Sequence, residues 1–126
     1  MGISHKLSLA IIALSLLTLW LPFSVAKAEE IVAFPDSNLE AAVRDAIGKP
    51  TGDINQSDLE DLTRLSANSR DIVDLSGLEH CARLDYLSLA YNGISDVTPL
   101  FSLTSLNWLN LHANQISDLS SVSSLT

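Results

Sequence analysis

Apolar residues in the second half of the chain recur at spacings of three, two and five. Leu84, Leu87, Leu89 and Ile94 form one set, and Leu106, Leu109, Leu111 and Ile116 form the next, 22 residues later. The same shift backwards finds a weaker copy in Leu62, Leu65, Ala67, Ile72, Asp74, Leu75 and Leu78. The register continues through Leu78, Leu100 and Val122, then through Cys81, Leu103 and Leu125. A step of two puts Leu87 and Leu89, like Leu109 and Leu111, on one face of a short strand, so the alternate positions face away. Asn92 and Asn114 stand where the chain leaves the strand, and their amides can serve backbone groups of their own turn and of the neighbouring coil. Arg70 fills that place in the first copy, so the asparagine ladder is predicted to begin at Asn92. Ile94 and Ile116 then turn inward, Asp96 and Asp118 can cap a turn of helix, and Pro99 favours a 3₁₀ return. One such block cannot bury its own leucines. Stacked blocks build a continuous core and one parallel sheet.

Upstream the period changes. Ile31, Val32 and Phe34 offer apolar anchors, and Pro35 with Asp36 or Ser37 opens a helix. Leu39, Ala42, Val43, Ala46 and Ile47 then follow one helical face. Gly48 ends that helix and Pro50 cannot continue it. A turn-rich loop over 49–55 precedes Ser57-Asp58-Leu59-Glu60, which reads as a capping box opening a second short helix towards Leu62. The stretch 36–61 lacks the 22-residue register and is read as a cap over the open end of the repeat core.

The LxxLxLxxN pattern is that of leucine-rich repeats. The predicted fold class is an α/β repeat: a leucine-rich-repeat solenoid with a short parallel sheet, a helical N-terminal cap and no C-terminal cap. Three repeats are assigned to 62–83, 84–105 and 106–126, with lead-in and cap over 29–61. Leu106, Leu109, Leu111, Ile116, Leu119, Val122 and Leu125 are expected to lack a covering neighbour. Full burial of one such side chain is worth roughly 1.5–3 kcal/mol, so the expectation is a truncated product or a chain capped by a partner. Self-association through 106–126 is one form of that capping.

Residues 1–28 change the picture of compartment. Lys6, the apolar run Leu7 to Leu21 and Ala26-Lys27-Ala28 form a secretory signal peptide, with cleavage between Ala28 and Glu29. The alternative is a retained anchor, against which stand the shortness of the run and Ser8, Ser15, Thr18 and Pro22 within or beside it. The chain carries a net charge of −8. Loss of Lys6 and Lys27 leaves five cations against fifteen acids, or −10. That balance argues against nucleic acid and against an anionic membrane surface once the signal is gone, and permits a basic partner. Cys81 is the single cysteine and sits in a core slot shared with Leu103 and Leu125, so burial is expected. The triplet Asn55-Gln56-Ser57 is treated as chance.

The run Phe34-Pro35-Asp36-Ser37-Asn38-Leu39-Glu40-Ala41-Ala42-Val43-Arg44, followed by Asp53-Ile54 and Asp58-Leu59, resembles the helical cap of internalin-like bacterial surface proteins. The 22-residue repeat with Asn-x-Ile-Ser-Asp, at Asn92 to Asp96 and Asn114 to Asp118, is similar to theirs. The resemblance covers 34–126. It implies a curved solenoid, exported by a bacterium to its surface or surroundings, that binds proteins on its concave sheet. Family members usually carry more repeats, an immunoglobulin-like C-terminal cap and often a wall anchor, which this sequence does not show.

The expected concave positions are Arg64, Ser66, Asn68 and Ser69, then Tyr86, Ser88, Ala90 and Tyr91, then Trp108, Asn110, His112 and Ala113. Arg64, Tyr86 and Trp108 lie one strand apart and belong to residue types enriched at binding hot spots. They are predicted, with Tyr91, Asn110 and His112, to hold a protein or peptide ligand. The alternative is that the bulky residues only pack on one another, and a fragment without a ligand is the second functional reading. Catalysis is set aside: no HExxH, GxSxG, glycine-rich phosphate loop or CxxC occurs, and the adjacent His80 and Cys81 are expected to point to opposite faces. Asp74, Asp96 and Asp118 suggest turn capping in preference to calcium. No cofactor and no metal is expected.

Overall fold

The computed structural model describes residues 28–117. The signal peptide expected over 1–28 therefore lies outside the described residues but for Ala28, as do Asp118, Leu119, Val122 and Leu125.

Helix α1, Ser37–Ile47, is capped by Asp36, whose Oδ1 accepts from the Asn38 and Leu39 amides at 2.9 and 3.1 Å. It ends at Gly48, which takes the left-handed conformation (φ 68°) that a side chain would oppose. Leu39, Ala42 and Val43 are buried as the periodicity requires, and Ile47 packs at the margin of the core. Ala46 is exposed instead of buried, so the fully buried face of the helix ends at Val43. Arg44 closes the following loop by donating to Glu40 and to the carbonyls of Lys49 and Gly52.

Helix α2, Gln56–Leu59, starts two residues earlier than the Ser57 box implied. Asn55 is its N-cap, and its amide donates to Asp58 Oδ2 at 2.8 Å. The lead-in fixes this register: Val32 N donates to Ile54 O and Gln56 N to Glu30 O, a short antiparallel pairing around Ile31 and Asn55. That pairing turns Val32 and Phe34 inward and leaves Ile31 exposed, so only two of the three expected anchors are anchors.

Strands β1 (Arg64–Ser66), β2 (Tyr86–Ser88) and β3 (Trp108–Asn110) form a parallel sheet in the order β1-β2-β3. The register sets Arg64 beside Tyr86 beside Trp108, Leu65 beside Leu87 beside Leu109, and Ser66 beside Ser88 beside Asn110. Hydrogen bonding continues beyond the strands, from Ala67 N to Ser88 O, Ser69 N to Ala90 O, Leu89 N to Asn110 O and Tyr91 N to His112 O. The chain returns through 3₁₀ turns at Leu78–His80 and Thr98–Leu100. Asp74 and Asp96 accept from the Ser76 and Thr98 amides and so open those returns. His80 and Cys81 thus lie at the end of a turn, not on a strand with opposed faces.

Leu62, Leu65, Leu84, Leu87, Leu89, Ile94, Leu100 and Leu103 join Leu39, Val43 and Leu59 in one buried core shared by cap and repeats. Gly77 lets the cap close on it. An added Cβ there would stand 2.5 Å from the Phe34 ring, and its φ of 105° is a glycine conformation. In the third repeat, Leu106 is buried, contrary to the expected open face, because it belongs to the same core cluster as Leu100 and Leu103 of the second repeat. Leu109, Leu111 and Ile116 are half-buried.

Candidate functional site

Parallel register brings Arg64, Tyr86 and Trp108 into one row across the sheet. Their side chains make a single stack. The Tyr86 and Trp108 rings are parallel within 3°, with centroids 4.2 Å apart, and Arg64 Cζ lies 4.2 Å from the centre of the Tyr86 ring. Since β1 and β3 flank β2 on opposite sides, Arg64 and Trp108 cover opposite faces of Tyr86. Such pairs contribute about 0.5–1.5 kcal/mol each beyond area burial. Trp108 is still 44% exposed.

A second aromatic contact lies at the other end of the strands. Tyr91 meets His112 edge-on, with centroids 5.3 Å apart at 82°. Tyr91 has φ 58°, as do Ser69 (54°) and Ala113 (56°) at the same repeat position. The turn into the asparagine ladder therefore demands a left-handed residue in every coil, and here a bulky one accepts it while remaining 61% exposed.

The middle of the concave face is less open than alternation suggests. Ser88 is only 2% exposed and Ala90 is buried. Asn68 covers them, its Oδ1 accepting from Ser88 Oγ at 2.7 Å and from Ala90 N at 2.8 Å. Asn110 is half-buried, and its Oδ1 accepts from the His112 amide. The accessible surface thus divides into the Arg64–Tyr86–Trp108 row and the Tyr91–His112 pair, with a polar floor between them. The small Ala90 beside a polar Asn68 in the repeat column is the signal that could have marked this floor.

The asparagines run beneath. Asn92 Oδ1 accepts from the Arg70 and Ile72 amides, both at 3.0 Å, while its Nδ2 donates to Ala67 O and Leu89 O at 2.9 Å. Asn114 accepts from Ile94 N and donates to Leu89 O and Leu111 O. Asn92 thus reaches back into the first coil, where the Arg70 side chain supplies no carboxamide for the ladder and pairs instead with Asp45 of α1 at 2.9 Å.

Neither Cys81 nor His80 is set up for nucleophilic chemistry. Burial, with the Glu79 charge adding, pushes the Cys81 thiol up to about 12, and thiol attack needs the thiolate. His80 Nδ1 is 2.8 Å from Gln56 Oε1, and Gln56 Nε2 donates back to His80 O, which ties the cap to the first repeat. Among the described residues no cluster of three His, Cys, Asp or Glu side chains is placed to hold a metal ion. No described helix is long and apolar enough to cross a membrane.

Comparison with known proteins follows the same repeat. Residues 82–126 match a family model of leucine-rich repeats (2 copies). The solved structure of internalin InlC2 from Listeria monocytogenes superposes with TM-score 0.73 at 32% identity, over 78% of this chain and 46% of that one. This is an internalin-like bacterial leucine-rich-repeat protein. Internalin InlF of the same organism gives TM-score 0.72 at 29% identity over 81% of this chain and 31% of its own. The functional domain of InlJ from Listeria monocytogenes, which includes a cysteine ladder, gives 0.65 at 29% identity over 74% and 21%. The internalin-like chain spans less than half the length of each of these structures. No significant match occurs among curated protein sequences.

Proposed function

We propose that this chain is an exported binding module, not an enzyme, that holds a protein or peptide segment on its concave sheet. Arg64, Tyr86 and Trp108 are the principal anchor, with Tyr91, Asn110 and His112 as the second. One observation carries the reading: a preassembled aromatic stack keeps nearly half of Trp108 accessible although Tyr86 already shields one of its faces. Ordering such side chains in advance lowers the entropic cost of binding, and exposed aromatics on a rigid scaffold mark contact surfaces. The likeness to internalins supports it, as does the signal-like pattern of residues 1–28, which implies release outside the cell or display on its surface.

Selection of peptides from a displayed random library on the wild-type chain, repeated on Trp108→Ala, tests the reading. Enriched peptides should lose affinity for the variant at least about tenfold, the scale of a hot-spot truncation, while its circular dichroism is unchanged. Peptides that bind both equally would refute it. Export is checked by sequencing the N-terminus of secreted material, which should begin at Glu29.

A second reading concerns association. Leu109, Leu111 and Ile116 are half-buried whereas their counterparts Leu87, Leu89 and Ile94 are fully buried. A second copy seated on 106–126 would cover them, giving a dimer in light scattering; a monomer would dismiss it.

A further inference from the structure

We propose that Asn92–Gly93 is a latent self-modification site. The closed repeat protects it, and an opened second repeat converts Asn92 to aspartate or isoaspartate, after which the coil cannot close as before.

Of the seven asparagines, Asn92 alone precedes a glycine. The others precede Leu39, Gln56, Ser69, Trp108, Leu111 and Gln115, whose side chains hinder the reaction. In that reaction the Gly93 nitrogen gives up its proton to water and attacks Asn92 Cγ. A Cγ–N bond forms, the Cγ–Nδ2 bond breaks, and Nδ2 leaves as ammonia. Water then opens the cyclic imide at one of its carbonyls. The product is aspartate, or an isoaspartate whose main chain runs through Cβ and Cγ. Glycine speeds ring closure because it has no Cβ to crowd the ring and its backbone can adopt the geometry required.

The fold holds both reacting groups still. Gly93 N donates to Ile72 O at 2.8 Å. The leaving group, Nδ2, donates to Ala67 O and Leu89 O at 2.9 Å, and Oδ1 accepts from the Arg70 and Ile72 amides at 3.0 Å. Attack would have to break the Gly93 bond and turn a carboxamide anchored in two coils. Neither group comes free until the first and second coils part, which is the natural local opening of a stacked repeat. The backbone does not require glycine here. Gly93 lies outside the left-handed region, and an added Cβ would meet Val73 Cγ2 at 3.5 Å, an ordinary contact. The matching positions of the flanking coils are Asp71 and Gln115, both with side chains. Packing therefore leaves the reactive pair unexplained, and its consequence is chemical.

Either product undoes the ladder. Aspartate puts an oxygen where Nδ2 stood, so Ala67 O and Leu89 O lose their donor. Isoaspartate lengthens the main chain just before Ile94, which is fully buried and has no slack in its packing. The conversion is irreversible, so a chain that stays open long enough is lost to the folded population.

The test incubates the full chain at pH 8 in buffer and in guanidinium chloride, with reductant to keep Cys81 a thiol, and follows each asparagine by peptide mass spectrometry. In denaturant Asn92 should convert before the others. In buffer it should convert at least about tenfold more slowly, because a reaction that needs an opening is slowed by the equilibrium constant of that opening. Equal rates in the two conditions, or faster conversion of another asparagine in denaturant, overturn the proposal. Chain aged in denaturant and returned to buffer should show a lower urea midpoint than freshly denatured chain, in step with its converted fraction; an unchanged midpoint overturns it as well. Gly93→Ala, for which there is room, should start at the wild-type midpoint and keep it through the same ageing. A midpoint that falls as fast in Gly93→Ala as in wild type would trace the damage to another residue and would also overturn the proposal.

Discussion

Asp36 holds Val73 across 37 residues of sequence: its Oδ2 accepts from the Val73 amide at 2.8 Å and from Asp74 N at 3.0 Å, while its Oδ1 caps α1. One carboxylate therefore starts the cap helix and ties it to the first repeat. Partial burial would raise its pKa, but the donors Val73, Asp74, Leu39 and Asn38 outweigh that and hold it below the ordinary carboxylate value.

Asp36→Ala should cost about 1–3 kcal/mol, since it removes a cap and leaves two further amides without their acceptor. Urea denaturation at pH 7 reads it. Because the folded-state pKa is depressed, the stabilisation is present above the unfolded-state pKa, about 3.9, and is lost as pH falls through the folded value. Asp36→Asn should therefore lose less stability than wild type on going from neutral pH to below that window. Parallel acid profiles would contradict the assignment.

Asn92 satisfies two amides and two carbonyls in two adjacent coils. Asn92→Ala strands these groups at the edge of the core, and a loss of roughly 2–4 kcal/mol is expected. Asn114→Ala, with a single amide bonded to its Oδ1, should cost less. The order of the two denaturation midpoints is the check.

Tyr91 adopts a left-handed backbone for which a large side chain costs about 1–2 kcal/mol, and its ring is exposed rather than buried in return. Asparagine accepts that conformation readily. Tyr91→Asn should leave stability unchanged or raise it by up to about 1 kcal/mol, the loss of the His112 contact offsetting part of the relief. It should also weaken selected peptides. A variant that is clearly less stable than wild type would show that the tyrosine serves the fold alone.

Cys81 lies in the core with its thiol pushed up to about 12. In native conditions at pH 8 it should not react with a disulfide reagent over hours, and in denaturant it should react stoichiometrically within minutes. Rapid native reaction would mean the repeat opens locally.

The repeat period, read without any structure, determined which residues are neighbours. A 22-residue spacing with strands of period two admits one parallel register, so Arg64, Tyr86 and Trp108 had to share a row and Leu65, Leu87 and Leu109 had to face the core. Helix α1, its Gly48 stop and the asparagine ladder were legible for the same reason: each depends on local backbone chemistry repeated at fixed intervals. Exposure and cap geometry were not legible, because they depend on what arrives from elsewhere in the chain. Ser88 and Ala90 are closed off by Asn68 from the preceding coil, α2 takes its start from pairing with the lead-in, and Leu106 joins the core cluster of the repeat before it. The occupied faces of Tyr86 and the reach of Asp36 to Val73 are likewise products of tertiary packing, since periodicity sets adjacency along the sheet while side-chain volume and long-range hydrogen bonds decide which adjacent groups remain open.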